Sequence, residues 1–204
     1  MKMTRLTAPS LVLAALLTAA PAAGLAAGEV GLTPELFEVE VPTADGPVVI
    51  GRDQDTFATV DPEFSMTSRP CPPFCIQPMT PVPGVTPVGE LELIEFLRAG
   101  RGPLVDGRTD DYYLRETIPG AVNIPYTEVA IRLDELGCRE ADDGWDCTDA
   151  TEVLLFCNGA WCGQSPTAIR AMVREGYPPE RIFYYRGGMQ AWKSLGLTTV
   201  EGRF

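Results

Sequence analysis

Residues 153–166 have the sequence VLLFCNGAWCGQSP, which predicts a strand, a loop and a helix in that order. The four apolar residues before Cys157 are typical of a parallel strand that is buried on both faces. Ser165 is a good N-cap and Pro166 suits the first helical position, so a loop and then a helix should follow the strand. The predicted helix ends at Gly176. Cys157 is therefore expected at the carboxyl end of a strand, facing backbone N–H groups at a helix N-terminus.

The position predicted for Cys157 suits cysteine chemistry. Backbone N–H groups at a helix N-terminus bind anions and lower the pKa of a thiol. The chain contains no histidine, which excludes Cys-His and Ser-His-Asp catalysis and every zinc site that uses imidazole. A cysteine nucleophile must therefore be activated by backbone dipoles or by a nearby cation.

Predicted strands and helices alternate along the rest of the chain. The other predicted strands are residues 103–106, 120–124 and 181–185. Three more helices are predicted. The first has Thr86 as its N-cap and ends at Gly100, the second ends at Gly137, and the third occupies residues 189–195. Such alternation indicates parallel strands joined by right-handed crossovers, and ligands bind at the carboxyl ends of those strands. The predicted fold class is α/β, a doubly wound sheet of mainly parallel strands with helices on both faces.

The first residues have the pattern of a secretory signal peptide. Two basic residues precede an apolar run at residues 11–17, and small residues follow. We expect residues 1–27 to be a signal peptide that is cleaved between Ala23 and Gly28. An uncleaved anchor is the alternative. The mature protein is then expected to be periplasmic or secreted, with no membrane association after cleavage.

Residues 28–84 are predicted to form an irregular N-terminal arm before a domain at residues 85–204. Short strand-like pieces alternate with turn residues there, and a proline-rich stretch excludes a helix or a central strand. We expect this stretch to be ordered against the domain through its apolar residues Phe74, Ile76 and Met79. A flexible linker is the alternative.

The composition limits the classes of partner. The chain is acidic, with a formal net charge of −12. It has no evident basic cluster, which argues against nucleic acid and anionic membrane surfaces. We therefore expect no nucleic acid among the partners.

Four segments, in the correct order and spacing, resemble the motifs of the rhodanese (sulfurtransferase-like) domain. They are LVDGR at residues 104–108, TIPGAVNIP at residues 117–125, Cys157 at the nucleophile position, and YYRGGMQAW at residues 184–192. The resemblance covers residues 85–196. It implies a rhodanese-like doubly wound sheet and a cysteine that accepts sulfane sulfur as a persulfide and passes it to a nucleophile.

The resemblance also implies the roles of the site residues. Cys157 would be the catalytic nucleophile of an exported sulfurtransferase, with no cofactor and no metal. The loop expected to bind the anion consists of Asn158, Gly159, Ala160, Trp161, Gly163, Gln164 and Ser165. The expected partners are a small sulfur donor and a thiol or cyanide-like acceptor, a protein thiol included. For Trp161, simple packing is the alternative to a role in the pocket.

Two features of the loop depart from the family pattern. Ser165 stands eight residues after Cys157, two more than usual, and no Lys or Arg lies between them. Related phosphatases need an Arg six residues after the cysteine, where this chain has Gly163, so phosphate-ester hydrolysis is not expected. Arg186 and Arg108 are the cations expected near the pocket as substrate-binding residues. A structural ion pair is the alternative for each.

Six cysteines in an exported chain favour disulfides. Cys138 and Cys147 flank an acidic loop, and we predict that they form a structural disulfide. Cys71 and Cys75 are the second predicted pair, because two prolines between them fix a turn in an arm that needs ordering.

Three interpretations of Cys162 remain open. As a resolving thiol, it would attack a persulfide or sulfenate on Cys157. As the disulfide partner of Cys157, it would make this a thiol–disulfide redox or partner-binding protein on a rhodanese scaffold. As a bystander, it would fill an apolar space beside Trp161. In a metal-binding alternative, four thiolates would hold zinc or copper(I): those of Cys71, Cys75, Cys157 and Cys162. The spacings and export disfavour it.

Overall fold

The computed structural model describes residues 29–204, so the predicted signal peptide lies outside the described residues. The strands are β1 (Val39–Val41), β2 (Val48–Ile50), β3 (Thr86–Pro87), β4 (Leu104–Asp106), β5 (Ala121–Asn123), β6 (Arg139–Ala141), β7 (Gly144–Asp146), β8 (Val153–Phe156) and β9 (Ile182–Tyr185). The helices are α1 (Pro62–Ser65), α2 (Glu90–Arg98), α3 (Asp110–Arg115), α4 (Gln164–Arg174) and α5 (Gly188–Ser194). Short 3₁₀ segments lie at Val129–Ile131, Leu133–Leu136 and Pro179–Arg181.

The central sheet has five strands in the order β3-β9-β8-β4-β5. Every neighbouring pair in it is parallel. β8 occupies the middle, as its continuous apolar sequence predicts for a strand without exposed faces. The order of the strands and the helices between them confirm the predicted α/β class.

Side chains of β8 alternate between two hydrophobic cores. Val153 and Leu155 pack with α4 and the first two 3₁₀ segments on one face. Leu154 and Phe156 pack with α2 and α5 on the other face. Helices therefore cover both faces of the sheet, and the carboxyl end of β8 lies between the two helical layers.

The N-terminal arm contributes to one of these cores. β1 and β2 form an antiparallel hairpin whose Val41 and Ile50 are fully buried in the cluster that contains α2 and α5. Farther along the arm, Phe74 is half-buried. The prediction that Ile76 and Met79 anchor the arm is wrong, because their side chains are 85% and 55% exposed.

Two predicted helix caps are also wrong. Thr86 lies in β3 and pairs with Phe183, because the residue before a proline favours extended backbone. α2 instead begins after Gly89. Ser165 lies inside α4, whose N-cap is Gly163; its buried hydroxyl donates to the Phe156 carbonyl at the end of β8.

Several local elements differ from the predictions. The helix expected before Gly137 consists of two 3₁₀ segments, because Arg132 between them has φ −124° and ψ 30°. α1 in the arm, α3 and the β6–β7 hairpin within the acidic loop were not predicted from the sequence. None of the helices described for residues 29–204 has both the length and the apolar sequence that spanning a bilayer requires.

Candidate active site

Cys157 directly follows β8, and α4 begins seven residues later at Gln164. Residues 157–163 form the connection, which we term the cysteine loop. The Cys157 and Cys162 side chains are buried, with 2% and 5% of each residue exposed. The strand-loop-helix arrangement therefore matches the one predicted, but both of its sulfur atoms are shielded from solvent.

Cys157 and Cys162 are joined by a disulfide. The side-chain oxygen of Gln164, Oε1, lies 3.8 Å from Cys157 Sγ and 3.6 Å from Cys162 Sγ. In a reduced site, either thiol could donate to this oxygen, whereas a thiolate would require the amide to present its N–H₂ group instead. The Gln164 side chain can therefore hydrogen-bond to either sulfur.

Several backbone N–H groups of the cysteine loop have no carbonyl partner among the described residues. Cys162 N–H donates to the Gly159 carbonyl, 2.9 Å away. Within the described part of the chain, the N–H groups of Gly159, Ala160, Trp161 and Gly163 donate to no backbone carbonyl. Free N–H groups of a loop that precedes a helix N-terminus are the kind of donors that bind anions.

Backbone contacts with the start of α5 fix the first half of the loop. Met189 N–H donates to the Cys157 carbonyl over 3.0 Å, and Gln190 N–H donates to the Asn158 carbonyl over 2.9 Å. This approach requires a glycine at position 188. Gly188 has a φ of +55°, and a Cβ atom there would collide with the Cys157 carbonyl.

Arg108 lies in a buried ion pair beneath the loop. Its guanidinium group contacts Asp106, 2.6 Å away, and both side chains are almost completely buried. The same group donates to Asn158 Oδ1 over 3.1 Å, while Thr117 donates to Asp106 Oδ2 over 2.8 Å. Arg108 therefore forms a structural ion pair, which was the alternative to substrate binding. Its guanidinium group also supports the cysteine loop through Asn158.

Arg186 lies directly after β9, whose last residue pairs with the residue before Cys157. Its Nε atom donates to the Gln77 carbonyl over 2.8 Å. No carboxylate of residues 29–204 forms an ion pair with Arg186 within 4.0 Å. Its charge therefore stands beside the site without a paired carboxylate among these residues.

Part of the N-terminal arm covers the second half of the loop. The Phe74 ring lies edge-on to Trp161, with 5.2 Å between the ring centroids. The Arg69 guanidinium carbon is 4.9 Å from the centroid of Phe74 and 4.5 Å from that of Trp161. Gln77 N–H donates to the Ala160 carbonyl over 2.9 Å. We call this segment, residues 69–77, the cap.

Two hydrogen bonds of the Gln190 side chain join the cysteine loop to α5 and α1. Trp161 Nε1 donates to Gln190 Oε1, and Gln190 Nε2 donates to the Phe64 carbonyl, each over 2.8 Å. Trp161 is thus held by α5 on one side and by Phe74 on the other. It packs under the cap and does not line an open pocket.

Two surface clefts of the described residues lie away from the cysteine loop. One, of about 820 Å³, is lined by β2, the following turn and the residues after α5. The other, of about 560 Å³, lies beside Tyr113 and residues 200–203. Neither is lined by a residue of the cysteine loop.

The remaining cysteines are paired as well. Cys71 is bonded to Cys75 in the cap, and Cys138 is bonded to Cys147 across the β6–β7 hairpin. Among the described residues, no group of three or more His, Cys, Asp or Glu side chains is placed to hold a metal ion.

Several parts of the site were not predicted from the sequence. The contacts made by Arg69 and Gln77 lie about 90 residues from the loop in sequence and have no local pattern. Gln190 could have been found, because it lies inside the closing YYRGGMQAW segment. Asp106 could also have been found, since a buried strand rarely ends in an unpaired carboxylate.

Comparison with protein families identifies the central part of the chain. The model of the rhodanese-like domain matches residues 91–195. A curated relative, the HTH-type transcriptional regulator Rv0324 of Mycobacterium tuberculosis, is 35% identical over 111 residues, which are 54% of this chain and 43% of the regulator. This chain therefore spans less than half of that relative's length.

Solved structures give similar matches. A rhodanese-like domain from Anabaena sp. is 21% identical, with a TM-score of 0.42 over 57% of this chain and 78% of that one. A rhodanese with anions from E. coli is 26% identical, with a TM-score of 0.35 over 49% and 98%. The thiosulfate sulfurtransferase of Pseudomonas aeruginosa is 24% identical, with a TM-score of 0.42 over 57% and 20%.

Proposed function

The chain belongs to the rhodanese-like domain family, and from this membership we propose that it is an exported sulfurtransferase that carries sulfane sulfur as a persulfide on Cys157. The observation that carries the proposal is the position of Cys157, between the carboxyl end of β8 and the N-terminus of α4. The unpaired N–H groups of the loop would stabilise both the thiolate and the persulfide anion.

Sulfur transfer at this site would take two displacement steps. The Cys157 thiolate attacks the outer sulfur of a sulfane donor, the S–S bond of the donor breaks, and the rest of the donor leaves with the electron pair. A thiolate or cyanide then attacks the outer sulfur of the Cys157 persulfide. The persulfide bond breaks, and the Cys157 thiolate leaves.

Cys162 can remove the sulfur from Cys157 and leave the site as a disulfide between sulfur-transfer cycles. Its thiolate can attack the inner sulfur of the persulfide, forming the Cys157–Cys162 disulfide and releasing hydrosulfide. Two electrons from a thiol reductant then restore both cysteines. The disulfide between these residues supports this role for Cys162.

Arg186 is the cation that would attract the donor. The loop itself carries no Lys or Arg, and Arg186 stands at the end of the neighbouring strand, hydrogen-bonded to the cap through only its Nε atom. Its remaining N–H groups would contact the anionic part of the donor once the cap moves.

Export would place the protein in the periplasm or outside the cell. Three disulfides among the described residues support an oxidising compartment. Sequencing the N-terminus of protein recovered from the producing cell tests this part. A mature chain that begins between Ala23 and Gly28 is expected, and an intact Met1 on fully intracellular protein would contradict it.

Thiocyanate formation tests the transferase activity. The protein is reduced, freed of reductant, and supplied with a sulfane donor and cyanide. Wild type should turn over only after reduction, Cys162→Ser should turn over without it, and Cys157→Ser should be inactive. Activity that survives Cys157→Ser and disappears in Cys162→Ser would reassign the nucleophile.

A second candidate function is thiol–disulfide exchange without sulfur transfer. The observation in its favour is the buried disulfide between Cys157 and Cys162. Equilibration with glutathione buffers would then give a defined reduction potential for this pair, and reduced protein would form no thiocyanate.

A further inference from the structure

The cap carries a second disulfide that differs from the first in its exposure. Cys71 is exposed and Cys75 is half-buried, whereas Cys157 and Cys162 are 2% and 5% exposed. A large reductant can therefore reach the Cys71–Cys75 bond but not the bond in the cysteine loop.

Contacts on both sides of Cys75 bring it toward Cys162. Phe74, which precedes Cys75, packs against Trp161, which precedes Cys162. The Gln77 side chain donates to the Cys75 carbonyl over 2.9 Å, and the same nitrogen would lie 3.6 Å from a Cβ atom on Gly163, which follows Cys162. The chain segments that contain Cys75 and Cys162 therefore lie against each other.

We propose that Cys71–Cys75 is a thiol–disulfide exchange site whose substrate is a protein dithiol and whose electrons pass to Cys157–Cys162. The proposal rests on the proposed function, in which Cys157 must be released as a thiolate. It gives the cap a chemical role in addition to covering the loop.

The exchange balances as a sequence of thiol–disulfide displacements. The external dithiol reduces Cys71–Cys75 and leaves as a disulfide, so two electrons and two protons reach the cap. The Cys75 thiolate attacks Cys162 Sγ, breaking the bond to Cys157 and forming a Cys75–Cys162 bond. The Cys71 thiolate then attacks Cys75 Sγ, which restores the cap disulfide and releases Cys162.

The surface around Cys75 suits a protein substrate. Ile76, the next residue, is 85% exposed, and Met79 is 55% exposed. Apolar side chains beside an accessible disulfide offer the contact area that a protein reductant covers during exchange. This also gives a reason why these two residues do not anchor the cap.

A trapped intermediate tests the proximity of the two pairs. In the variant Cys71→Ser/Cys157→Ser, Cys75 and Cys162 have lost their partners and should form a disulfide under mild oxidation. Peptide mapping should show that bond, and the matched control Cys75→Ser/Cys157→Ser should show much less bonding of Cys71 to Cys162. Cys75 and Cys162 that both stay open to alkylation would overturn the proposal.

Reduction kinetics test the direction of electron flow. Reduced thioredoxin serves as the protein dithiol, and a small phosphine serves as the reagent that needs no relay. Relative to wild type, Cys71→Ser/Cys75→Ser should slow reduction of Cys157–Cys162 by thioredoxin at least about tenfold and should not slow the phosphine. An unchanged or faster reaction with thioredoxin would show that the cap disulfide passes no electrons and would overturn the relay.

The two proposals fail in different ways. If Cys157 carries no sulfur, the trapped bond and the kinetics with thioredoxin are unaffected. If the relay is absent, phosphine-reduced protein still forms thiocyanate.

Discussion

Gly188 lies directly against Cys157, so close that a Cβ atom on Gly188 would collide with the Cys157 carbonyl. The N–H group of the next residue, Met189, donates to the same carbonyl over 3.0 Å. The start of α5 therefore holds the backbone of the cysteine in place, and the glycine is required both by this contact and by its φ of +55°.

Gly188→Ala should therefore destabilise the protein strongly. The left-handed conformation and the clash together should lower the free energy of unfolding by about 3 kcal/mol. Gly100→Ala is the matched control, since Gly100 has a φ of +58° and no atom of residues 29–204 lies within 4 Å of a Cβ added there. Urea denaturation should show a loss of only about 1 kcal/mol there. Equal losses in both variants would contradict the close approach.

Arg108→Ala should destabilise the protein because it leaves Asp106 buried without its cation. The expected loss is about 3–5 kcal/mol. Arg98→Ala removes an exposed ion pair with Glu95, and its effect on stability should be small because solvent screens such a pair. An Arg108→Ala variant with normal stability and weakened donor binding would instead make Arg108 a substrate-binding residue.

Phe74→Ala should open the cap. Removing the ring that packs on Trp161 loses about 1 kcal/mol of aromatic contact, so a small phosphine should reduce Cys157–Cys162 about fivefold faster. Phe57→Ala is the control, because Phe57 is 90% exposed and its loss should leave the rate unchanged. The same rate in both variants would mean that Phe74 does not limit access.

Tyr184→Phe should leave the stability equal or higher. Among residues 29–204 the buried Tyr184 hydroxyl has no hydrogen-bond partner, so its removal relieves a desolvation cost of about 1 kcal/mol. Tyr177→Phe is the contrast, since the Tyr177 hydroxyl donates to the Thr151 carbonyl over 2.5 Å. That variant should lose about 1 kcal/mol, and reversed effects would contradict this hydrogen-bond assignment.

Alkaline titration gives a separate check on these tyrosines. Burial raises the pKa of both Tyr184 and Tyr177 to about 12. The folded state therefore binds these protons more tightly than the unfolded state, and stability present below about pH 10 is lost as the pH rises toward 12. Tyr184→Phe should make this loss shallower, as measured by urea denaturation across that range; an unchanged slope would argue against the raised pKa.

The central part of the fold could be predicted from local pattern. Four apolar residues before Cys157 indicated the middle strand, and Gly176 marked the end of the helix that follows. Ser165 was wrongly predicted as the N-cap residue of α4. Its hydroxyl instead donates a hydrogen bond to the Phe156 carbonyl at the end of β8. Local propensity does not contain such contacts.

The closed state of the site could not be predicted in the same way. It depends on Phe74 meeting Trp161 and on Gln77 meeting Ala160, contacts between segments far apart in sequence. The proline-rich composition around Phe74 excluded regular structure, but it does not specify which surface such a segment covers.

The intact mass of the reduced protein after exposure to a sulfane donor tests most directly whether Cys157 carries sulfur. Reduced Cys162→Ser should gain about 32 Da, one sulfur atom, and peptide mapping should place it on Cys157, whereas reduced wild type should return to the Cys157–Cys162 disulfide as Cys162 releases the sulfur as hydrosulfide. Cyanide should remove the added mass. No gain in reduced Cys162→Ser, or a gain that remains in Cys157→Ser, would contradict the assignment of Cys157 as the sulfur carrier.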